Sequence, residues 1–184
     1  MNKSELRLER SDAELVAAAC AGDLASFGTL YRRHYRLAVG VARSRLSDSH
    51  LAEDAAQEAF AIACRTLSTL KDQNRFPQWL GTICRRTATR LAEGQSNHAP
   101  LAEDQEPASD PALEALRLQV REALWTLDDD SREVVLLHYF SGLSHAEIAQ
   151  TLEVSADAIH GRLQRARRKL ALVLDSPMPT GADE

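Results

Sequence analysis

Along most of the chain apolar residues return at intervals of three and four, and nowhere do they alternate over the length of a strand. That periodicity predicts an all-α fold. Ser11 with Glu14 is a capping-box pair ahead of a short helix that closes near Gly22. A longer helix from Leu24 to about Leu46 carries Phe27, Leu30, Tyr31, Leu37 and Val41 on one side. Asp48 can cap a third helix running to about Leu70. Pro77 suits the first turn of a fourth, and Gly94 its C-terminal cap. A second series begins at Asp110-Pro111, a cap with a first-turn proline, and its first helix runs to about Leu127. Asp130 with Glu133 and Ser144 with Glu147 read as two further capping boxes, with Gly142 ending the helix between them. Ser155 caps a last helix that reaches about Leu174.

Between the two series the periodicity lapses. The stretch EGQSNHAPLAEDQEPASDP, residues 93–111, holds three prolines and no sustained apolar face. The expected architecture is therefore two small helical domains, residues 1–92 and 111–175, joined by a flexible acidic linker, residues 93–110. Residues 176–184 form a tail expected to be disordered. Charge follows the same division: residues 1–92 carry net +4, residues 93–116 net −6 and residues 117–184 net −3. With −5 overall the chain is no polycation, so a nucleic-acid surface has to be local. Cys20, Cys64 and Cys84 lie far apart, form no C-x-x-C pair and read as small apolar core residues. No metal or cofactor is expected. The N-terminal MNKSELRLER is not a secretory signal, and no apolar run approaches the ~18 residues of a membrane span. A cytoplasmic protein without membrane insertion is expected.

The last two helices have the form of a helix-turn-helix. Ile148, Ala149 and Leu152 face inward on the first, and Val154 fills the joint. On the second, Ile159, Leu163, Ala166 and Leu170 make one apolar stripe. The opposite face carries Asp157, Gly161, Gln164, Arg165 and Arg168, with His160, Arg162 and Lys169 on its flanks. A buried stripe backed by a polar, basic face is what a major-groove reader needs, since arginine pairs with guanine or phosphate and glutamine with adenine. A basic face also suits a solvated helix end beside the C-terminal dipole, but the capped helix and the L-x-V-S joint weigh toward DNA.

The segment from Ala123 to Leu170, with its AL-x-x-L, REV-x-x-L, G-x-S-x-x-EIA-x-x-L and RL-x-RAR patterns, resembles the C-terminal domain of bacterial sigma factors. It is most similar to the extracytoplasmic-function (ECF) group. The resemblance implies that this domain reads the minus-thirty-five promoter element through Ser155, Asp157, Ala158, His160, Gly161, Arg162, Gln164, Arg165 and Arg168. Glu153 stands where the family usually has glycine in the turn. Asp157, Ala158, His160 and Gly161 replace a Gly-Thr-Val-Lys-Ser-like run.

The first domain extends the resemblance. Asp54, Gln57 and Glu58 share one exposed helical face, at spacings i, i+3 and i+4. Carboxylates so placed suit acid/base chemistry in principle, but no nucleophile, histidine partner or phosphate loop accompanies them, and a hydrolase or transferase is not expected. AEDAAQEAF looks like the family's D-x-x-Q-E-x-F signature, which implies that Asp54, Gln57 and Glu58 bind core RNA polymerase. Phe76 to Arg90 looks like the segment that handles the minus-ten element. By that likeness Lys71, Asn74 and Arg75 lie in the loop that captures a flipped non-template base, and Arg85, Arg86, Thr89 and Arg90 contact DNA on the following helix. Phe76 and Trp79 read as core residues rather than as base-stacking ones. The family often has Asn at the position of Arg86 and Asp at that of Arg90.

The expected function is that of an alternative sigma factor: not an enzyme, but a protein that recruits core polymerase to a promoter and helps to melt it. Its partners would be core polymerase, promoter DNA both as duplex and as melted non-template strand, and an anti-sigma factor. The resemblance implies that the acidic linker passes near the RNA exit path, where its acids would mimic nucleic acid; a solubilising spacer is an equal reading. The rival reading is a stand-alone helix-turn-helix regulator that never meets polymerase; such a protein has no need of the Asp54–Phe60 signature.

Overall fold

The computed structural model describes residues 10–95 and 111–175; most of the expected linker and all of the expected tail lie outside them. The described residues form eight α-helices and no strand. These are α1 (Asp12–Cys20), α2 (Leu24–Arg43), α3 (Ser49–Thr66), α4 (Phe76–Gln95), α5 (Pro111–Trp125), α6 (Asp129–Tyr139), α7 (His145–Leu152) and α8 (Ala156–Leu174). Two 3-10 turns, Leu67–Thr69 and Gln73–Arg75, lie between α3 and α4.

The helix starts follow the capping residues. Ser11 and Glu14, like Ser144 and Glu147, form reciprocal capping boxes, while Asp23, Asp48 and Ser155 each accept a first-turn backbone N–H. Two expectations fail. The N-cap of α6 is Asp128, which accepts from Ser131 N at 2.8 Å, so Asp130 and Glu133 make no capping box. Glu133 is instead buried, on the side of α6 turned toward the first domain. Gly94 does not end α4, which continues through Gln95.

In the first domain α3 packs between α2 and α4 on a face of Ala52, Ala55, Ala56, Ala59 and Ala63, each 0% exposed. Alanines let the neighbouring backbones come close, and Phe60 fills the remaining space against the rings of Tyr31 and Phe27. Phe76 is fully buried, stacked between His34 and Trp79. The core reading of Phe76 holds, with Trp79 half-buried beside it. In the second domain α6, α7 and α8 close around Leu137, Ile148, Ile159 and Leu163, and α5 lies along α8.

The two domains share one continuous core, because α2 packs on α6 and α4 on α7. Gly40 makes this possible: a Cβ there would collide with Ser141 Oγ, which donates to the Arg36 carbonyl at 2.8 Å. The Arg36 guanidinium in turn donates to the Phe140 carbonyl at 2.6 Å, and Arg43 lies over the Phe140 ring. Arg132, 4% exposed, stacks on Trp125 and donates to the carbonyls of Leu124 and Leu127 in its own domain and of Ser44 in the other.

At the far end of the first domain Asp12 holds α1 to α2. Its carboxylate lies 2.7 Å from His34 Nε2 and 2.5 Å from Arg33 Nη1. Burial by itself would raise the Asp12 pKa, but the hydrogen bonds and charges of His34 and Arg33 outweigh it and hold the value below the ordinary 3.8. A carboxyl depressed on folding stabilises fully above its unfolded value and loses that contribution as pH falls through the folded one. Thermal melts should therefore show Asp12→Asn less stable than the parent at neutral pH, with the carboxylate's contribution lost as pH falls through the folded value, below 3.8. A margin that persisted undiminished in strong acid would remove the carboxylate from the account.

Candidate nucleic-acid and protein interfaces

The α7–α8 pair has the helix-turn-helix form read from the sequence. Its joint is Glu153, in the left-handed region at φ 58° and ψ 41°, the one described non-glycine residue with positive φ. A side chain there costs about 1 kcal/mol relative to glycine. The turn closes with Val154 N donating to the Ala149 carbonyl at 3.0 Å. Hydrogen bonds from the Ser144 side chain and backbone hold the Glu147 carboxyl below its ordinary pKa and anchor the start of α7.

On α8, Ile159, Leu163 and Ala166 are buried as the stripe requires, and Leu170 packs against the same core. Asp157, His160, Gln164, Arg165 and Arg168 face solvent together with the cap Ser155, while Ala158, Gly161 and Arg162 are half-buried. Arg162 turns aside, 3.5 Å from Asp130 on α6. The His160 ring sits edge-on to His145, which stacks on His138, itself fixed by the Leu143 carbonyl at 2.9 Å. This three-imidazole stack was not read from the sequence, since its members come from three helices. Arg167 joins the surface by donating to the Tyr139 hydroxyl at 2.5 Å.

In the first domain an open groove is lined by Arg45, Arg85, Arg86, Thr89, Arg90 and Glu93. Four of the expected minus-ten residues therefore share one surface, and Arg45, from the end of α2, joins them. Four guanidiniums along a groove attract a phosphate chain irrespective of its bases. Lys71, Asn74 and Arg75 stand apart on the loop before α4, where Asp72 fixes Asn74 through its backbone and side-chain amides. Buried Phe76 offers no stacking face.

On α3, Asp54 and Gln57 are exposed and side by side, but Glu58 is engaged: Arg90 Nη2 lies 2.6 and 2.7 Å from its two oxygens. No local pattern indicates that these two residues, expected to face different partners, would pair. Both are partly exposed, so the pair stabilises the fold by at most about 1 kcal/mol.

Among the described residues no cluster of His, Cys, Asp or Glu could hold a metal ion. Of the cysteines only Cys84 is buried, and burial pushes its thiol up to about 12. Cys20 and Cys64 are exposed, so the core reading fails for them because they lie on the outer faces of α1 and α3. No helix among the described residues is long and apolar enough to cross a membrane.

Comparison with known proteins follows the same two-part division. The family model Sigma-70 region 2 matches residues 30–97, and Sigma-70, region 4 matches residues 117–170. The chain belongs to the sigma-70 family. The ECF RNA polymerase sigma factor SigM of Mycobacterium tuberculosis is 34% identical over 170 residues, covering 91% of this chain and 87% of SigM. The RNA polymerase sigma factor CnrH of Cupriavidus metallidurans is 32% identical over 189 residues, covering 91% of this chain and 96% of its own. CnrH in complex with the cytosolic domain of CnrY superposes with a TM-score of 0.67 at 30% identity, covering 90% of this chain and 98% of CnrH. The Bartonella quintana sigma factor RpoE, solved with the anti-sigma factor NepR, shares the fold at a TM-score of 0.55 and 23% identity, covering 80% of this chain and 96% of its own. The protein is thus an ECF-group alternative sigma factor, which binds core RNA polymerase and directs it to promoters. A stand-alone helix-turn-helix regulator would leave the region 2 match over residues 30–97 without explanation.

One substitution tests the local account of the recognition helix. A Cβ on Gly161 would meet only the mobile end of Arg165, at 3.3 Å, so the position is open to a better helix former. Gly161→Ala should stabilise the second domain by about 0.5–1 kcal/mol, read as an upward shift in its urea midpoint; an unchanged or lower midpoint would mean that the Arg165 contact costs more than the helix gains.

Proposed function

We propose that this sigma factor divides its work among three surfaces. The exposed pair Asp54 and Gln57, with Glu58 beside them, docks on core polymerase. The arginine groove, with Lys71, Asn74 and Arg75 on the neighbouring loop, holds the minus-ten element as a separated non-template strand. The solvent face of α8, from Ser155 to Arg168, reads the minus-thirty-five element as duplex. The observation that carries this reading is the groove that gathers Arg45, Arg85, Arg86 and Arg90 on one surface of a protein whose overall charge is −5.

Our division of the chain is residues 1–92 for polymerase and the minus-ten element, 93–110 as the connecting strap, 111–175 for the minus-thirty-five element and 176–184 as a tail. The protein supplies binding energy and no catalysis: the polymerase makes the bonds, and the factor holds strands it helped to part. Each captured base is worth about 1–3 kcal/mol where it can stack or be enclosed. With Phe76 buried, that energy comes here from the loop and the groove. A factor of this kind works in the cytoplasm. CnrH, solved with the cytosolic domain of CnrY, supports a protein partner for the free factor, in the manner of an anti-sigma factor.

Glu58→Lys places a cation on the docking face and beside Arg90. Co-purification with core polymerase should be lost while far-UV circular dichroism stays unchanged; retained co-purification would remove Glu58 from the docking surface. Arg165→Ala should weaken binding to a minus-thirty-five duplex by about 1–3 kcal/mol if it reads a base. If it holds only phosphate, the loss will be equal on every sequence and the salt slope will fall by about 1.

A further inference from the structure

We infer that His160 reads a guanine in the minus-thirty-five element, and that a ladder of rings behind it, from His145, His138 and Tyr139, positions its imidazole for that contact. The inference rests on the assignment of the α8 solvent face to that element. His160 is exposed on α8, with Asp157 and Gln164 as its exposed neighbours one turn to either side. Its ring lies edge-on to that of His145, the first residue of α7, with centroids 5.8 Å apart and planes at 62°. His145 lies 5.1 Å from His138 on α6. His138 in turn meets the Tyr139 ring at 4.8 Å and 72°. Arg167, two turns along α8 from His160, donates to the Tyr139 hydroxyl at 2.5 Å, and its guanidinium lies 5.6 Å from the ring centre. The ladder therefore begins and ends on the recognition helix and crosses both helices that support it.

An exposed side chain that contacts a base has to give up rotamer freedom to do so, and that loss weakens the contact. Here the ring is ordered before DNA arrives. His138 Nδ1 lies 2.9 Å from the Leu143 carbonyl. A carbonyl oxygen only accepts, so Nδ1 carries a proton, and the ring is held in one tautomer and one plane. Edge-to-face contact passes that constraint to His145 and from it to His160. The imidazoles follow one another in a row instead of converging, and no His, Cys, Asp or Glu cluster among the described residues could hold a metal ion. An imidazole held in this way presents an N–H in a fixed direction. Guanine answers it with two adjacent acceptors, N7 and O6. Adenine sets an amino donor beside its N7, thymine a methyl beside its single acceptor, and cytosine offers only a donor. A fixed donor separates these cases, whereas a free one turns to whichever acceptor is near.

The test uses the full chain assembled with core RNA polymerase and a pool of random-sequence linear duplexes. Sequencing the bound duplexes gives the base preference at each position, and fluorescence anisotropy at fixed salt gives the affinity for the preferred duplex and its single-pair changes. For the parent, replacing one guanine of the upstream element should weaken binding about tenfold. His160→Ala should leave every base pair at that position within about twofold, while the other positions keep their preference. His145→Ala should cut the discrimination at the same pair to about threefold, and His145→Phe, which restores a ring without an N–H, should recover it. A variant that merely folds poorly weakens binding to all duplexes alike and leaves the discrimination intact. Discrimination unchanged in His145→Ala, or lost equally in His145→Ala and His145→Phe, overturns the ladder. A guanine preference that survives His160→Ala overturns His160 as its reader. Arg165→Ala separates the causes: if it alters the upstream preference while His160→Ala does not, only the present inference fails, and if neither alters it, the assignment of α8 to the upstream element is itself at fault.

Discussion

A carboxylate can leave water only if cations go with it, and the Glu133 side chain, buried where two domains meet, draws both of its cations from the opposite domain. The rest of the interface between the domains is arranged around that constraint. Glu133 needs Arg45 at the end of α2 and Arg85 in the middle of α4 at once, which sets how α6 lies across the first domain. Its neighbour Arg132 obeys the complementary rule. Desolvated on α6, it spends its donors on carbonyls of both domains, and its face is covered by Trp125. Truncating one partner in such a cluster leaves an uncompensated buried charge, at a cost of about 3–5 kcal/mol.

What brings these groups within reach is the absence of bulk elsewhere. Gly40 lets α6 approach α2, since a Cβ there would collide with Ser141. The alanine face of α3 keeps α2 and α4 close enough for Arg45 and Arg85 to line a single groove. The same small residues therefore serve the interface between domains and the cationic channel, and the two functions share side chains. Arg85 belongs to the domain interface and to the groove, and Arg90 to the groove and to Glu58.

Much of the fold was legible because helices announce their ends locally. Ser11 with Glu14, Ser144 with Glu147, Asp48 and Ser155 each act within three residues, and the structure uses all of them. Asp130 with Glu133 had the same spacing and failed, because Asp128 offered an earlier cap and the charge of Glu133 was needed by another domain. The α8 stripe of Ile159, Leu163 and Ala166 was equally plain, as was the polar face behind it. The imidazole stack beneath His160 and the diversion of Arg162 to Asp130 were not, since each joins helices whose relative placement no local pattern encodes.

The sequence by itself therefore determined the helices, their caps, the helix-turn-helix and the family, all of which depend on spacings of a few residues. Tertiary structure decided which charges meet. Glu133 finds partners 48 and 88 positions away, Glu153 one 78 away and Glu58 one 32 away. Opposite charges attract at any sequence separation, so only packing, set here by glycines and alanines that let helix backbones touch, selects the pairs that form.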